Sequence, residues 1–458
     1  MNIACFSMMA SKHPRAIACV FILIVAILWV LFELVSYYPG VVTPDTLRQL
    51  NEGVSGVYTN WKPTLYSWQL GMLERWFPGH GTGAAYVLQI MGFALAVGAI
   101  SWLYTRYSVY YSLLVLVLPL LFTVRCMLIT TVGNDEQAAV CYLLYIAGIL
   151  VASSMRTGWR RTLLLLVVWC ILGYGMVMRH NALPAVFLLG CWGWWRTGAR
   201  SWWRIGLNSM VCVLAALAIN SGVSYYVLKA EASYPLRSPL VDDIVNLSIM
   251  EGEWHPVVRE FYEGELLPPY QQCVYAPESG NWNSPINPYI LYPSVEDRKR
   301  DYERLKAAWW EMVQEHPARY FVTKIFFFHQ YLLEGRCIPW LCEVMREAYP
   351  HMRIHMEKES GQWRAWVNRE FVAMSLLPLG CYIFLFFCVK KQVRQWVKAD
   401  AVRTDALCFI GAAFIYTSTF VLLVLSATEA RYYIIRATLC GVGAAMLILS
   451  CFIRKKAD

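Results

Sequence analysis

Long apolar runs constrain this chain more than any other feature. A membrane-spanning helix needs about 20 mostly apolar residues, and the sequence holds about ten windows of that kind. They lie near 16–36, 83–104, 108–124, 137–154, 162–178, 182–195, 205–228, 371–389, 406–427 and 432–453. Only 16% of the residues are charged, against about 25% in soluble domains. The sequence therefore predicts an all-α polytopic membrane protein with about ten transmembrane helices.

Lys and Arg in the short connections predict the orientation, because basic residues concentrate on the cytoplasmic side. Basic clusters follow every second window, among them Arg156, Arg160 and Arg161, then Arg196, Arg200 and Arg204. With these connections inside, both termini are predicted to be cytoplasmic. Two long segments, residues 37–82 and 229–370, are then predicted to lie outside.

Composition divides the chain into three predicted units. Residues 1–228 form an N-terminal membrane domain of about seven helices, with 37–82 as its outer loop. Residues 229–370 carry a net charge of −5, against +14 for the rest of the chain, and are polar enough to fold as a mixed extracytoplasmic domain. Residues 371–458 form a C-terminal membrane domain of about three helices. A positive cytoplasmic face explains the excess of basic residues, so no nucleic-acid partner is predicted.

The first outer segment joins turn residues to a carboxylate. Tyr38-Pro39-Gly40 ends the first helix and turns the chain. Thr43 or Asp45 can cap the helix that begins near Thr46. Alternatively, Asp45 is a general base that accepts a proton from an attacking hydroxyl. Further along, apolar residues at helical spacing predict a helix in the membrane interface; they are Leu65, Trp68, Met72, Leu73 and Trp76.

Further charged residues fall in other outer connections, where ionisable groups near spanning helices invite a functional interpretation. Asp135 and Glu136 can orient an acceptor, bind a divalent cation such as Mg²⁺ or Mn²⁺ together with Asp45, or stabilise the positive end of the fourth span. Arg179 and Arg431 have the planar fork that suits phosphate oxygens. Their alternatives are an interfacial salt bridge, such as Glu429 with Arg431, or contact with lipid headgroups.

In order along the chain, these motifs resemble the GT-C glycosyltransferases. The pattern comprises Tyr38-Pro39-Gly40, Asp45-x-x-x-Gln49, Asn60-Trp61-Lys62-Pro63, Gly133-Asn134-Asp135-Glu136, Arg179-His180-Asn181, Trp309-Trp310 with His316-Pro317-x-x-Tyr320, and Glu429-Ala430-Arg431-Tyr432-Tyr433. It is most similar to the bacterial branch that includes O-antigen glucosyltransferases. This chain has Lys62 where that family usually has His, and Asn60 where an acid is common.

The resemblance implies a multi-pass enzyme of a bacterial inner membrane with its active site facing the periplasm. It would move a sugar from a polyprenyl-phosphate carrier to an extracytoplasmic glycan or lipid-linked acceptor, with inversion and with Asp45 as the base. The expected catalytic residues are Asp45, Asp135 and Glu136. The expected substrate-binding residues are Arg48, Gln49, Lys62, Arg179, His180, Asn181, Glu429 and Arg431. The competing interpretations are a transporter or flippase of a lipid-linked or charged sugar, and a lipid-linked glycan polymerase or ligase.

Overall fold

The computed structural model describes residues 14–105, 116, 129, 131–251, 253, 255–259, 294–329, 401–423 and 433–452. Most of these residues are helical, and the elements in chain order are α1 (Pro14–Tyr37), β1 (Val41–Val42), α2 (Pro44–Ser55), α3 (Thr64–Trp76), α4 (Gly81–Tyr104), β2 (Thr131–Val132), α5 (Asn134–Ser154), α6 (Trp159–Met178), α7 (Leu183–Arg196), α8 (Trp202–Gly222), α9 (Arg237–Glu251), α10 (Pro256–Arg259), α11 (Val295–Glu315), α12 (Pro317–His329), α13 (Ala401–Leu423) and α14 (Tyr433–Phe452). A 3₁₀ turn, His180–Ala182, precedes α7, and a π-helical turn, Val223–Val227, extends α8.

Five described helices are long and apolar enough to cross a membrane, namely Arg15–Tyr37, Gly81–Tyr104, Asn134–Ser154, Trp159–Met178 and Trp202–Val227. They coincide with five of the predicted windows and support the class of all-α membrane protein. Three more windows coincide with α7, α13 and α14. Most of 108–124 and all of 371–389 lie outside the described residues, so the count of about ten stays a prediction.

The helices pack around one continuous apolar core. The first spanning helix, α1, packs on α4, which packs on α5, and α5 packs on α6. The shorter helix α7 contacts α8 and α13, and α13 pairs with α14. Because α1 and α6 end where α4, α5 and α7 begin, residues 37–82, 131–136 and 178–183 lie at one end of the bundle. This end is called the loop end below.

At the opposite end, a buried carboxylate joins two helices. Asp405 of α13 is fully buried and accepts a hydrogen bond from Trp192 Nε1 at 2.8 Å. Arg196 Nε of α7 lies 3.5 Å from the second Asp405 oxygen. These contacts fix α7 against α13 at the end where the sequence predicts the cytoplasm.

The segment between α1 and α4 is folded onto the bundle. Its second helix, α3, contacts α2, α4 and α6. Trp76 of α3 is 64% exposed and Trp68 is 38% exposed, whereas Leu73 is buried. The predicted interfacial helix is therefore a helix with one exposed aromatic side and one side packed on the protein.

Within 229–370, α9 and α11 share a second small core, which includes Ile244, Leu247 and Leu305. Ion pairs tie the same elements together, with Arg237 Nε lying 2.8 Å from Asp301 and Lys324 Nζ lying 2.7 Å from Asp243. Burial raises the pKa of Asp243, although Lys324 opposes that shift. The boundaries predicted for the three units stay predictions.

Candidate functional site

A two-residue parallel strand pair organises the loop end. Val41 of β1 pairs with Thr131 of β2, and Val42 pairs with Val132. Gly40 precedes β1 with φ of +87°, and a Cβ there would lie 2.5 Å from the Val132 side chain, so glycine fits both the backbone and the space. The pairing holds the segment after α1 against the segment that leads into α5.

Thr43, and not Asp45, is the N-cap of α2. Its hydroxyl accepts a hydrogen bond from the Thr46 backbone N–H at 3.1 Å. The Thr46 hydroxyl donates in turn to the Val132 carbonyl oxygen. The alternative in which Asp45 caps the helix is therefore wrong, since Asp45 lies in the first turn. A carboxylate in that turn still gains from the positive end of the helix dipole.

Asp45 forms an ion pair with Lys62. Lys62 Nζ lies 2.7 Å from Asp45 Oδ2, and the two side chains are 15% and 24% exposed. The pair joins the start of α2 to the residues that lead into α3. Such charge-assisted contacts are short and favour the ionised carboxylate, which is the form that accepts a proton.

Glu52, two helical turns beyond Asp45 on α2, holds the outer segment together. It accepts hydrogen bonds from the Thr59 hydroxyl at 2.8 Å and from the Ser67 hydroxyl at 2.9 Å. Arg48 Nε lies 3.7 Å from Glu52 Oε1. Arg48, which the sequence predicts to bind substrate, is thus placed beside a structural carboxylate on its own helix.

Asn60 has a structural role. Its Oδ1 accepts hydrogen bonds from the backbone N–H and the hydroxyl of Ser233, at 2.7 and 2.6 Å. Its Nδ2 donates to the Tyr225 hydroxyl at 2.9 Å. An amide can donate and accept at once, whereas an ionised carboxylate only accepts. Asn60 therefore joins the first outer segment to the chain that follows α8.

The start of α5 carries a second ion pair. Asp135 is in the first turn of α5, and Arg179 Nε lies 2.8 Å from its Oδ1. Asn134 Nδ2 donates to the Met178 carbonyl oxygen at 3.0 Å. Glu136 is buried in the same turn, with one carboxylate oxygen over Gly133. The predicted motifs at 133–136 and 179–181 are thus neighbours in space.

Two buried polar residues form a further part of the site. Tyr66 of α3 is fully buried, and burial raises its pKa well above the ordinary value, with nearby Glu136, Tyr174 and Asp135 adding to the shift. Gln49 of α2 is also fully buried. Neither the Tyr66 hydroxyl nor either polar atom of Gln49 has a hydrogen-bond partner within the described part of the chain. An unsatisfied buried polar group costs about 1–3 kcal/mol.

The sequence predicts a role in the site for Gln49 but not for Tyr66. Tyr66 lies inside the run whose spacing predicts a helix in the membrane interface, and no local pattern distinguishes it from the aromatic residues around it. The side chain of His180 and all of Glu429 and Arg431 lie outside the described residues, and Asn181 is half-buried beside Arg179.

Two described carboxylates of the site are paired with cations of the protein. Asp45 lies beside Lys62 and Asp135 beside Arg179. Among the residues that the structure describes, no three His, Cys, Asp or Glu side chains come together as a metal-binding group. Glu429 is outside that search, so the divalent cation stays a prediction.

No protein-family model, no curated protein and no solved structure matches this chain. The functional argument therefore rests on the fold, the site geometry and the sequence motifs.

Proposed function

We propose that this protein is an integral membrane glycosyltransferase. It moves a sugar from a polyprenyl-phosphate carrier to a hydroxyl of an extracytoplasmic glycan or lipid-linked acceptor. The observation that carries this proposal is the convergence of two carboxylate–cation pairs, Asp45–Lys62 and Asp135–Arg179, at one end of an apolar helical bundle. Transfer from a lipid phosphate needs a base for the acceptor and cations for the leaving group, and both are supplied there.

In the proposed reaction, Asp45 accepts the proton of the acceptor hydroxyl as that oxygen attacks the anomeric carbon. The bond between this carbon and the phosphate oxygen breaks, and the polyprenyl phosphate leaves with the electron pair. Arg179 and Lys62 are placed to stabilise the growing negative charge, because preorganised cations act strongly where water is excluded. The leaving group is already a phosphate ester, so one essential carboxylate is sufficient.

The second pair, Asp135 with Arg179, positions the phosphate-binding guanidinium. Asp135 is buried at the positive end of α5, and its Oδ1 lies 2.8 Å from Arg179 Nε. Glu136 lies beside it and can contact the acceptor once a substrate is bound. Inversion at the anomeric carbon is part of the proposal because the motifs resemble an inverting family.

The proposed location is a bacterial inner membrane with the loop end facing the periplasm and both termini in the cytoplasm. Two features support this orientation. The basic clusters after α5 and α7 lie at the end opposite to the site, and cytoplasmic connections are enriched in Lys and Arg. The apolar spans supply the lipid contact that a polyprenyl substrate requires.

The decisive test compares wild-type and Asp45→Asn protein in membranes from cells that supply polyprenyl-phosphate sugars. Mass spectrometry of surface glycans and lipid-linked precursors gives the readout. A hexose-sized mass difference that appears with the wild type and is absent with Asp45→Asn supports the proposal. Transfer that persists with Asp45→Asn excludes Asp45 as the base.

Asp297→Asn is the matched control. Asp297 also lies in the first turn of a helix, α11, and its carboxylate also lies 2.7 Å from a cation, Arg300. The control therefore removes a comparable charge and a comparable contact, but on an exposed helix outside the site. Unchanged glycans combined with an altered distribution of precursor across the membrane would instead favour a flippase.

A further inference from the structure

Gln49 lies on α2 and Tyr66 on α3, and these two helices pack against each other as one layer beside the bundle. The Asp45–Lys62 pair joins the two chain segments at one end of this layer. Gln49 follows Asp45 by four residues, one helical turn, and Tyr66 follows Lys62 by four residues. Gln49 is therefore placed one turn behind Asp45, whereas Tyr66 approaches Asp135, Glu136 and Tyr174, so the two buried polar groups flank the space between the two ion pairs.

The far side of this layer is closed by the backbone. A Cβ added at Gly53 would lie 2.0 Å from the Ser67 carbonyl oxygen, and one added at Gly71 would lie 2.1 Å from the Gly53 carbonyl oxygen. The hydrogen bond from Ser67 to Glu52 reinforces this crossing. A ligand can reach the layer from the Asp45–Lys62 end, where both side chains are partly exposed.

The chemistry of the two side chains defines the ligand. A Gln amide offers two donor hydrogens and an acceptor oxygen, and a phenol offers one donor and one acceptor. Both groups are neutral, so they suit hydroxyl groups rather than phosphate. The phosphate is instead bound by the cations Lys62 and Arg179. Buried groups of this type discriminate strongly for a ligand hydroxyl, because they stay unpaired without it.

We propose that Gln49 and Tyr66 bind hydroxyl groups of the sugar ring whose bond to phosphate is broken. This inference rests on the proposed function and adds the part of the site that recognises the sugar. Within the part of the chain that the structure describes, the two groups have no hydrogen-bond partner in the ligand-free protein, at a cost to stability. The sugar enters as Lys62 separates from Asp45, and its hydroxyl groups then supply the missing hydrogen bonds.

The test measures thermal unfolding of the purified full-length protein in detergent. The probes are polyprenyl phosphate without sugar, and polyprenyl-phosphate glucose, galactose and mannose in separate samples. A free oligosaccharide acceptor forms another arm, which distinguishes the acceptor sugar from the donor sugar. The variants are Gln49→Leu and Tyr66→Phe, which remove the polar atoms and keep much of the volume.

Two matched controls carry donor groups that have partners, although Gln89 Oε1 has none among the described residues. Gln89→Leu removes an amide whose Nε2 donates to the Ile129 and Thr131 carbonyl oxygens, at 2.6 and 2.8 Å. Tyr145→Phe removes a buried hydroxyl that donates to the Leu189 carbonyl oxygen at 3.2 Å. Both controls should lower the melting temperature, because each leaves carbonyl oxygens unpaired.

For the ligand-free protein, Gln49→Leu and Tyr66→Phe should leave the melting temperature unchanged or raise it by about 2 °C, since each removes an unsatisfied group. A sugar-bearing donor should raise the melting temperature of the wild type more than polyprenyl phosphate without sugar does. Each variant should bind that donor roughly tenfold more weakly while binding the bare carrier normally.

Four results overturn the inference in distinguishable ways. If both variants keep the extra stabilisation by the sugar, the sugar site is wrong and the proposed function stands. A marked fall in the ligand-free melting temperature of either variant shows that its polar group has a partner in the resting protein. If the wild type gains nothing from any sugar beyond the bare carrier, both the inference and the donor class fail. Stabilisation by the oligosaccharide alone, lost in the variants, would reassign the two residues to the acceptor and overturn their role at the donor sugar.

Discussion

Lys62 Nζ lies 2.7 Å from Asp45 Oδ2, so the proposed base and the nearest described cation are already in contact before any substrate binds. The contact occupies one of the two Asp45 oxygens, and the positive charge of Lys62 beside the carboxylate weakens it as a base. A lipid phosphate offers Lys62 a second anion. Exchange of Lys62 from Asp45 to the phosphate would therefore release the base when the donor is in place.

The first prediction separates the two partners of this pair. Lys62→Met should reduce transfer roughly 10- to 100-fold, because one cation for the phosphate is lost, whereas Asp45→Asn should abolish it, because general base catalysis contributes about 10²–10⁴-fold. Initial rates with a polyprenyl-phosphate sugar give the comparison. Equal loss in both variants would indicate that the ion pair matters for folding, which thermal unfolding would reveal.

Lys62→His provides a charge-dependent control for this prediction. A histidine there is a cation below about pH 6.5 and neutral above it. The activity of this variant relative to the wild type should therefore rise as the pH falls. A ratio that does not change with pH would argue against a need for positive charge at residue 62.

The second prediction concerns the Asp135–Arg179 pair. Arg179→Met leaves the Asp135 carboxylate, which is 5% exposed, without the guanidinium beside it, and should cost about 3 kcal/mol of stability. The double variant Asp135→Asn with Arg179→Met should recover most of that loss. If Arg179 binds the donor phosphate, activity should not recover with stability. Recovery of both stability and activity in the double variant would show that the Asp135–Arg179 pair is a structural contact only.

Much of the membrane architecture follows from the sequence, since five predicted windows coincide with described spanning helices. The adjacency of Asp135 and Arg179 also follows in part, because one begins a span and the other ends the next one. The pairing of β1 with β2 does not follow, since two-residue strands carry no periodicity. Nor do the roles of Asn60 and Tyr66, which depend on partners far away in the chain.

The third prediction tests the close crossing of α2 and α3. Gly53→Ala should destabilise the protein by about 2 kcal/mol and disturb the layer that holds Gln49, because the added methyl group meets the Ser67 carbonyl oxygen. Gly206→Ala is the control. Gly206 lies inside α8 with open space around it, so alanine should be neutral or stabilising there. Thermal unfolding of both variants checks the difference, and equal stability would contradict the crossing.

The last prediction uses the buried carboxylate at the opposite end. Asp405→Asn keeps an acceptor for Trp192 Nε1 but removes the charge that lies 3.5 Å from Arg196, so it should cost about 1 kcal/mol. Asp405→Leu removes both contacts and should cost about 3 kcal/mol. Helix α7 begins beside Arg179 and ends at Arg196. Loss of the Asp405 contacts therefore loosens the end of α7 that is one helix length away from the site. Transfer activity per folded molecule should therefore stay at the wild-type level in both variants, and a loss of activity at unchanged folded fraction would mean that the site extends through the bundle.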